Sequence, residues 1–218
     1  MRLDREKVMR SNGFLNFHPD ILNRHRGFEA LSQQRAEEAL GHLKRAARFA
    51  DKASQAVIAE LYFKGEGVPQ DRALGYAWMD LAAERGWQGF LALREHYWAQ
   101  LDDSERKRAI EVGQGVYAEY EDAVAKPRLE AQLRRGRREM TGSRIGSPGA
   151  LKIIYGDDVI GVRVRLDERG LGSSSVPGHL YYADEFWLPE AYWEWQAQVW
   201  DRPLRGLVDV LPLQRAEP

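Results

Sequence analysis

Along the first 125 residues, apolar positions recur with a helical period. Ala36, Ala39, Leu40, Leu43, Ala46 and Ala47 fall at i, i+3, i+4 and i+7 offsets, and Leu74, Ala77, Trp78, Leu81 and Ala82 repeat the pattern. Such spacing puts one helix face on a core. The same reading predicts a helix opened by His18-Pro19-Asp20 and running through Leu31, then helices over Ala53–Phe63 and Leu91–Leu101. Asp102, Asp103, Ser104 and Glu105 supply capping oxygens for a further helix reaching about Ala125. Residues 128–140 predict one more short helix, rich in arginine. Beyond it the pattern changes. Thr141–Ser143 and Gly146–Gly149 read as loop. Leu151–Tyr155 and Val159–Leu166 read as strands joined by a hairpin turn at Gly156-Asp157-Asp158. Gly170–Gly178 reads as loop, Leu188–Trp200 as an aromatic helix opened by Pro189, and Gly206–Leu211 as a last short strand.

The helices contain an internal repeat. Ala46-Ala47 before Arg48-Phe49-Ala50 recurs as Ala82-Ala83 before Glu84-Arg85-Gly86, an offset of 36 residues, which suits one helix–turn–helix unit. The alanines allow close approach of helix axes. Between the two alanine pairs, Lys64-Gly65-Glu66-Gly67-Val68-Pro69 ends a helix. Gly65 suits a left-handed terminus, Gly67 allows a second reversal, and Pro69 prevents continuation. Asp71 is placed to cap the helix that follows. About three helical hairpins fit within residues 14–125.

These residues carry a resemblance. Tyr62-Phe-Lys-Gly65-Glu-Gly67-Val68-Pro-Gln-Asp71, then Tyr76-Ala77-Trp78, then Leu81-Ala82-Ala83 and Gly86, resembles one complete Sel1-like repeat. Ile58-Ala59 stands where that family has Leu-Gly, and Gly75 where it has alanine. The strict match covers about 36 residues, with degenerate units on either side over 20–125. The resemblance implies a right-handed α/α superhelix related to tetratricopeptide repeats. It also implies a scaffold that brings partner proteins together, often in bacterial envelope or signalling settings. In the family Tyr62, Gly65, Gly67, Asp71, Trp78, Ala82, Ala83 and Gly86 would be structural. The family leaves the chain after residue 126 unexplained.

Composition narrows the classes further. The chain has 218 residues, 44% hydrophobic and 30% charged, which is ordinary for a globular protein. Net charge is −1 but uneven: residues 126–152 carry +6 and residues 153–218 carry −5. Two parts of one chain docking on each other would account for that, as would an anionic partner. With no cysteine, disulfides, thiolate metal sites and cysteine nucleophiles are excluded, and the five histidines lack ligand spacing. No metal, cofactor or catalytic constellation is expected. No stretch approaches the roughly 20 apolar residues of a membrane span. Met1–Asn12 is charged and lacks the apolar segment of a signal peptide. The chain as it stands reads as cytoplasmic, or as periplasmic if a leader has been removed.

Three features compete for function. The basic run Arg128, Arg134, Arg135, Arg137, Arg138 and Arg144 offers a docking surface for an acidic protein, or a solvated helix whose heads pair with Asp184, Glu185, Glu190 or Glu194. Nucleic acid is disfavoured, since the whole chain is not basic and no reading motif is present. The aromatic run Tyr181, Tyr182, Phe186, Trp187, Tyr192, Trp193, Trp195 and Trp200 would be a groove for a peptide or glycan, or the anchor of a small α+β appendage. On the hairpins, Glu60, Lys64, Arg94, Glu95 and Trp98 are placed to line a partner-binding face.

The chain therefore reads as mainly α: a Sel1-like solenoid over 14–125, a basic helix and linker over 126–149, and an α+β appendage over 150–218. The leading function is an adaptor binding a protein or peptide, with Arg134, Arg135, Arg138, Trp187 and Trp195 as further contact candidates. Two other readings stand beside it. One is a hydrolase or carbohydrate-binding protein with Asp184 and Glu185 beside the tryptophans, and the other is homodimerisation through the aromatic patch.

Overall fold

In the computed structural model the described residues are 2–139, 152–155 and 174–200. Two short helices, α1 (Arg2–Arg10) and α2 (Asn12–Leu15), precede three helical hairpins. The hairpins are α3 (Pro19–Ser32) with α4 (Ala36–Ala47), α5 (Lys52–Lys64) with α6 (Arg72–Ala82), and α7 (Gln88–Gln100) with α8 (Asp103–Tyr120). Then follow α9 (Asp122–Glu139), strands β1 (Lys152–Tyr155) and β2 (Ser174–Pro177), and α10 (Gly178–Tyr181), α11 (Asp184–Trp187) and α12 (Pro189–Trp200). The protein is mainly α.

Local chemistry explains where the hairpin helices start and stop. Asp51, Asp71 and Asp102 each accept a backbone N–H at the start of α5, α6 and α8, and Asp102 with Glu105 completes a capping box. Gly65 ends α5 in the left-handed region at φ 75°. Gly86 (φ 74°) reverses the chain after α6, and one repeat earlier the same left-handed turn falls on Ala50 (φ 62°). Gly75 is glycine because α5 and α6 cross there: a Cβ would lie 2.7 Å from the Phe63 backbone nitrogen. The alanine usual in the repeat would force the two helices apart.

The units are tied by ion pairs and hydrogen bonds. Arg108 reaches back to Asp71 (2.7 Å), and Tyr117 donates to Asp80 (2.9 Å). Lys52, almost sealed from solvent, donates to the Leu81 carbonyl (3.0 Å) and Glu84 (2.6 Å) and lies 3.2 Å from Asp122. Burial pushes the Lys52 ammonium down, while Asp122 opposes the shift. Asp122 is raised by burial, but Arg85, Lys52 and Lys126 outweigh this and hold it well below the usual carboxylate range.

Three boundaries differ from the sequence reading. The helix expected to reach Ala125 stops at Tyr120, because Glu121 turns extended and the Asp122 N–H is taken by Glu84 (3.1 Å). The arginine-rich helix accordingly begins at Asp122 and carries Pro127 inside it. The boundary read at 125/126 thus lies within α9. Lys152–Tyr155 is a strand as expected, yet its partner is Ser174–Pro177 in antiparallel register, Lys152 opposite Pro177, within the stretch read as loop. The strand read at 159–166, its turn at 156–158, the loops at 141–149 and the strand at 206–211 lie outside the described residues.

The C-terminal segment packs on the N-terminal helices and on α9. Tyr181, Phe186 and Trp187 join Val8, Phe14, Leu15 and Ile21 in one core cluster, and Tyr192 joins Leu129 and Leu133 of α9 in another. Gly136 makes the first possible, since a Cβ there would lie 2.4 Å from the Trp187 ring.

Candidate functional site

Two polar surfaces emerge, one open and one sealed. The open one lies where α6, α7 and α8 meet. Tyr76 packs on Trp98 with ring centroids 4.8 Å apart, and the Arg106 guanidinium sits 5.3 Å from the Trp98 centroid. Arg94 lies one turn before Trp98 on α7, 3.6 Å from Asp80, which also accepts from Tyr117. All six side chains are half-buried. Burial and then Asp80 push the Tyr76 and Tyr117 phenols up, so both remain hydrogen-bond donors at neutral pH. Tyrosine, tryptophan and arginine in partial exposure is the composition of a protein-contact hot spot.

The sealed surface is the seam beneath α12. The Tyr192 hydroxyl, fully buried, donates to Asp20, and Gln196 donates to the Tyr192 oxygen (3.0 Å). The other Asp20 oxygen is buried without a partner. Arg24 pairs with Asp51 (2.5 Å), which also accepts from Ser54. Burial first, then the neighbouring Asp51 charge, raises Asp20 to about 6. Next to it His18 is stacked on Phe14 (3.6 Å), with one ring nitrogen 2.8 Å from the Phe14 carbonyl and the other 2.8 Å from that of Phe186. Burial lowers it to about 4. A neutral imidazole has one N–H, so one of the two carbonyls faces a bare nitrogen.

The sequence-based candidates divide between these surfaces and neither. Arg94 and Trp98 belong to the open strip. Glu60 and Lys64 pair with each other (2.5 Å) on the last turns of α5, apart from it. Arg134, Arg135 and Arg138 are exposed on α9. Arg134 and Arg135 pair within the helix, with Glu130 (3.4 Å) and Glu139 (2.8 Å), rather than with the acids of the C-terminal segment. Trp187 is buried, its indole N–H donating to the Tyr181 carbonyl (2.6 Å), and is closed to a partner. Trp195 is half-buried against Phe186 and Tyr192 (5.6 and 5.4 Å), so much of the patch considered for self-association is used within the chain. Asp184 is exposed, while Glu185 pairs with Arg5 (3.1 Å). Among the described residues no group of three or more His, Cys, Asp or Glu is placed to hold a metal. No helix there is long and apolar enough to cross a membrane.

Of the repeat-type residues, Trp78, Ala82 and Ala83 are core, and Gly65, Gly67 and Gly86 take positive φ. Asp71 caps α6, and Tyr62 accepts from Lys44 (2.9 Å). Sequence reasoning missed Asp20, Arg24, Asp51 and Lys52. Asp20 and Asp51 stand at helix starts, where a carboxylate reads equally as a cap, and nothing local marks Arg24 or Lys52.

Stacked α/α hairpins closed by a C-terminal aromatic helix define the class of molecule. No family model matches the chain, and no curated protein matches it. Among solved structures it is similar to a protective antigen present in uropathogenic Escherichia coli strains that displays an SLR fold. The two share 22% identity with a TM-score of 0.42, over 59% of this chain and 27% of that one. The chain thus spans about a quarter of that protein's length.

Proposed function

We propose that the chain is a protein-interaction scaffold whose hairpin stack presents the Tyr76–Trp98–Arg94 strip to a partner protein or peptide. The observation that carries this reading is the half-exposed Tyr76–Trp98 pair flanked by Arg94 and Arg106, large aromatic area that the hairpin core leaves uncovered. The likeness of residues 62–86 to a Sel1-like repeat supports it by analogy of fold. Affinity capture from the native cell, followed by mass spectrometry, tests it. Wild-type chain should retain a partner that the Trp98→Ala, Arg94→Ala double variant loses at least tenfold, with the variant's melting temperature within a few degrees of wild type. Equal retention by both chains, or none above background, would overturn it.

A further inference from the structure

The helix α12 lies in a groove built from four parts of the chain. Tyr192 enters beside Asp20 of α3, Phe49 of the α4–α5 corner, and Leu129 and Leu133 of α9. Trp193 donates to Glu130 (3.1 Å), and its ring is flanked by Arg85 (4.9 Å) and Lys126 (5.2 Å). Trp200 lies beside Trp87 (6.5 Å) and Phe90 (6.3 Å), under the Arg24 guanidinium (5.8 Å). Tyr192, Trp193, Gln196 and Trp200 thus form one reading face, at i, i+1, i+4 and i+8, the arrangement of a helix recognised in a groove. The opposite side of α12, at Glu190, Glu194, Gln198 and Val199, is exposed.

Three further observations mark α12 as an occupant rather than a permanent part of the wall. Residues 178–200 hold no lysine or arginine; Glu185 pairs with Arg5, and the Trp193 and Trp200 rings lie against Arg85, Lys126 and Arg24. A helix of this length is marginal alone in water, so it forms against its groove. The Tyr192 anchor rests on a carboxyl whose second oxygen has no partner, and release of α12 would rehydrate that oxygen.

We propose that this groove is a recognition site for aromatic helices bearing Tyr-Trp-x-x-Gln-x-x-x-Trp, that α12 occupies it in cis, and that a partner helix of the same chemistry exchanges with it. The inference deepens the scaffold reading by naming a second contact surface and its ligand class.

The test uses the full chain and a fluorescein-labelled synthetic peptide of residues 184–200, read by anisotropy. Trp193→Ala with Trp200→Ala weakens the occupant and leaves the groove intact. The variant should bind the peptide saturably and at least tenfold more tightly than wild type, whose tethered α12 competes at an effective concentration on the order of millimolar. A peptide carrying the same two alanines should not bind. Equal binding to both chains, or none to a variant whose helicity by circular dichroism falls by no more than the 12 residues of α12, would overturn the proposal. If the variant loses more helicity than the 12 residues of α12, the wild-type chain with excess peptide replaces it. Peptide in excess of the millimolar effective concentration should then co-elute with the wild-type chain on gel filtration, the doubly substituted peptide should not, and no uptake of the unsubstituted peptide would be equally fatal. Neither failure touches the Tyr76–Trp98 strip, whose partner capture is read separately.

Discussion

The α5–α6 hairpin and the α10–α12 segment are both well packed, yet they are held by different means. The hairpin closes on itself: Asp51 and Asp71 cap it, Gly65 turns it, and Gly75 brings its helices into backbone contact. Every one of those interactions spans fewer than about thirty residues. The C-terminal segment is held by partners more than a hundred residues distant: Asp20 for Tyr192, the Phe186 carbonyl for His18, and Arg5 for Glu185. A region with local contacts folds as a unit and rigidifies a scaffold. A region with remote, titratable contacts is one that other molecules or conditions can dislodge.

The sharpest way to break the comparison is at the joint between repeats. Lys52→Met removes a buried ammonium from Leu81, Glu84 and Asp122 and leaves acids facing an apolar side chain. The expected cost is about 3 kcal/mol or more, seen as a lower urea midpoint for the whole chain. Loss confined to the C-terminal segment would contradict the division.

The second prediction concerns pH. His18 is lowered to about 4, so the stability it contributes is present above its unfolded value of 6.5 and is lost as pH falls through 4. Asp20 is raised to about 6, so its contribution is present below 3.8 and is lost as pH rises through 6. The two oppose each other between pH 4 and 6, and the wild-type segment should change little across that window. His18→Gln should unmask Asp20 and gain on the order of 2 kcal/mol from pH 7 to 4.5, whereas Asp20→Asn should lose a similar amount. Denaturant titrations at the two pH values measure both. Parallel behaviour of the two variants would exclude the compensation.

The smallest effect returns to the hairpins. Ala50 holds by strain the left-handed turn that Gly86 holds freely. Ala50→Gly should therefore stabilise by up to about 1 kcal/mol, the left-handed penalty less glycine's added chain entropy. A melting temperature that falls would show that the Ala50 methyl packs productively.

The same difference governs what could be read from the sequence. The hairpins were legible because caps, turns and alanine spacing are local and periodic, and the expected helix ends lie within a few residues of those observed. The end at Tyr120 was not legible, because Glu84, remote in sequence, captures the Asp122 N–H. The strand at Ser174–Pro177 reads as a serine-rich loop, since its register comes from Lys152–Tyr155. Trp98 and Arg94 stood in the sequence among the candidates for a partner-binding face, with Glu60, Lys64 and Glu95. Asp20 did not, because nothing local distinguishes a capping aspartate from one that buries itself against a tyrosine of the last helix.

Amide hydrogen exchange over the full chain, wild type against Tyr192→Phe, tests the account most directly. Residues 52–82 should exchange only through global opening in both chains. Residues 189–200 should be protected in wild type but open at lower free energy, and should lose at least tenfold of that protection in the variant while 52–82 stay unchanged. Uniform loss across the chain, or a wild-type α12 as slow as α5 and α6, would contradict it.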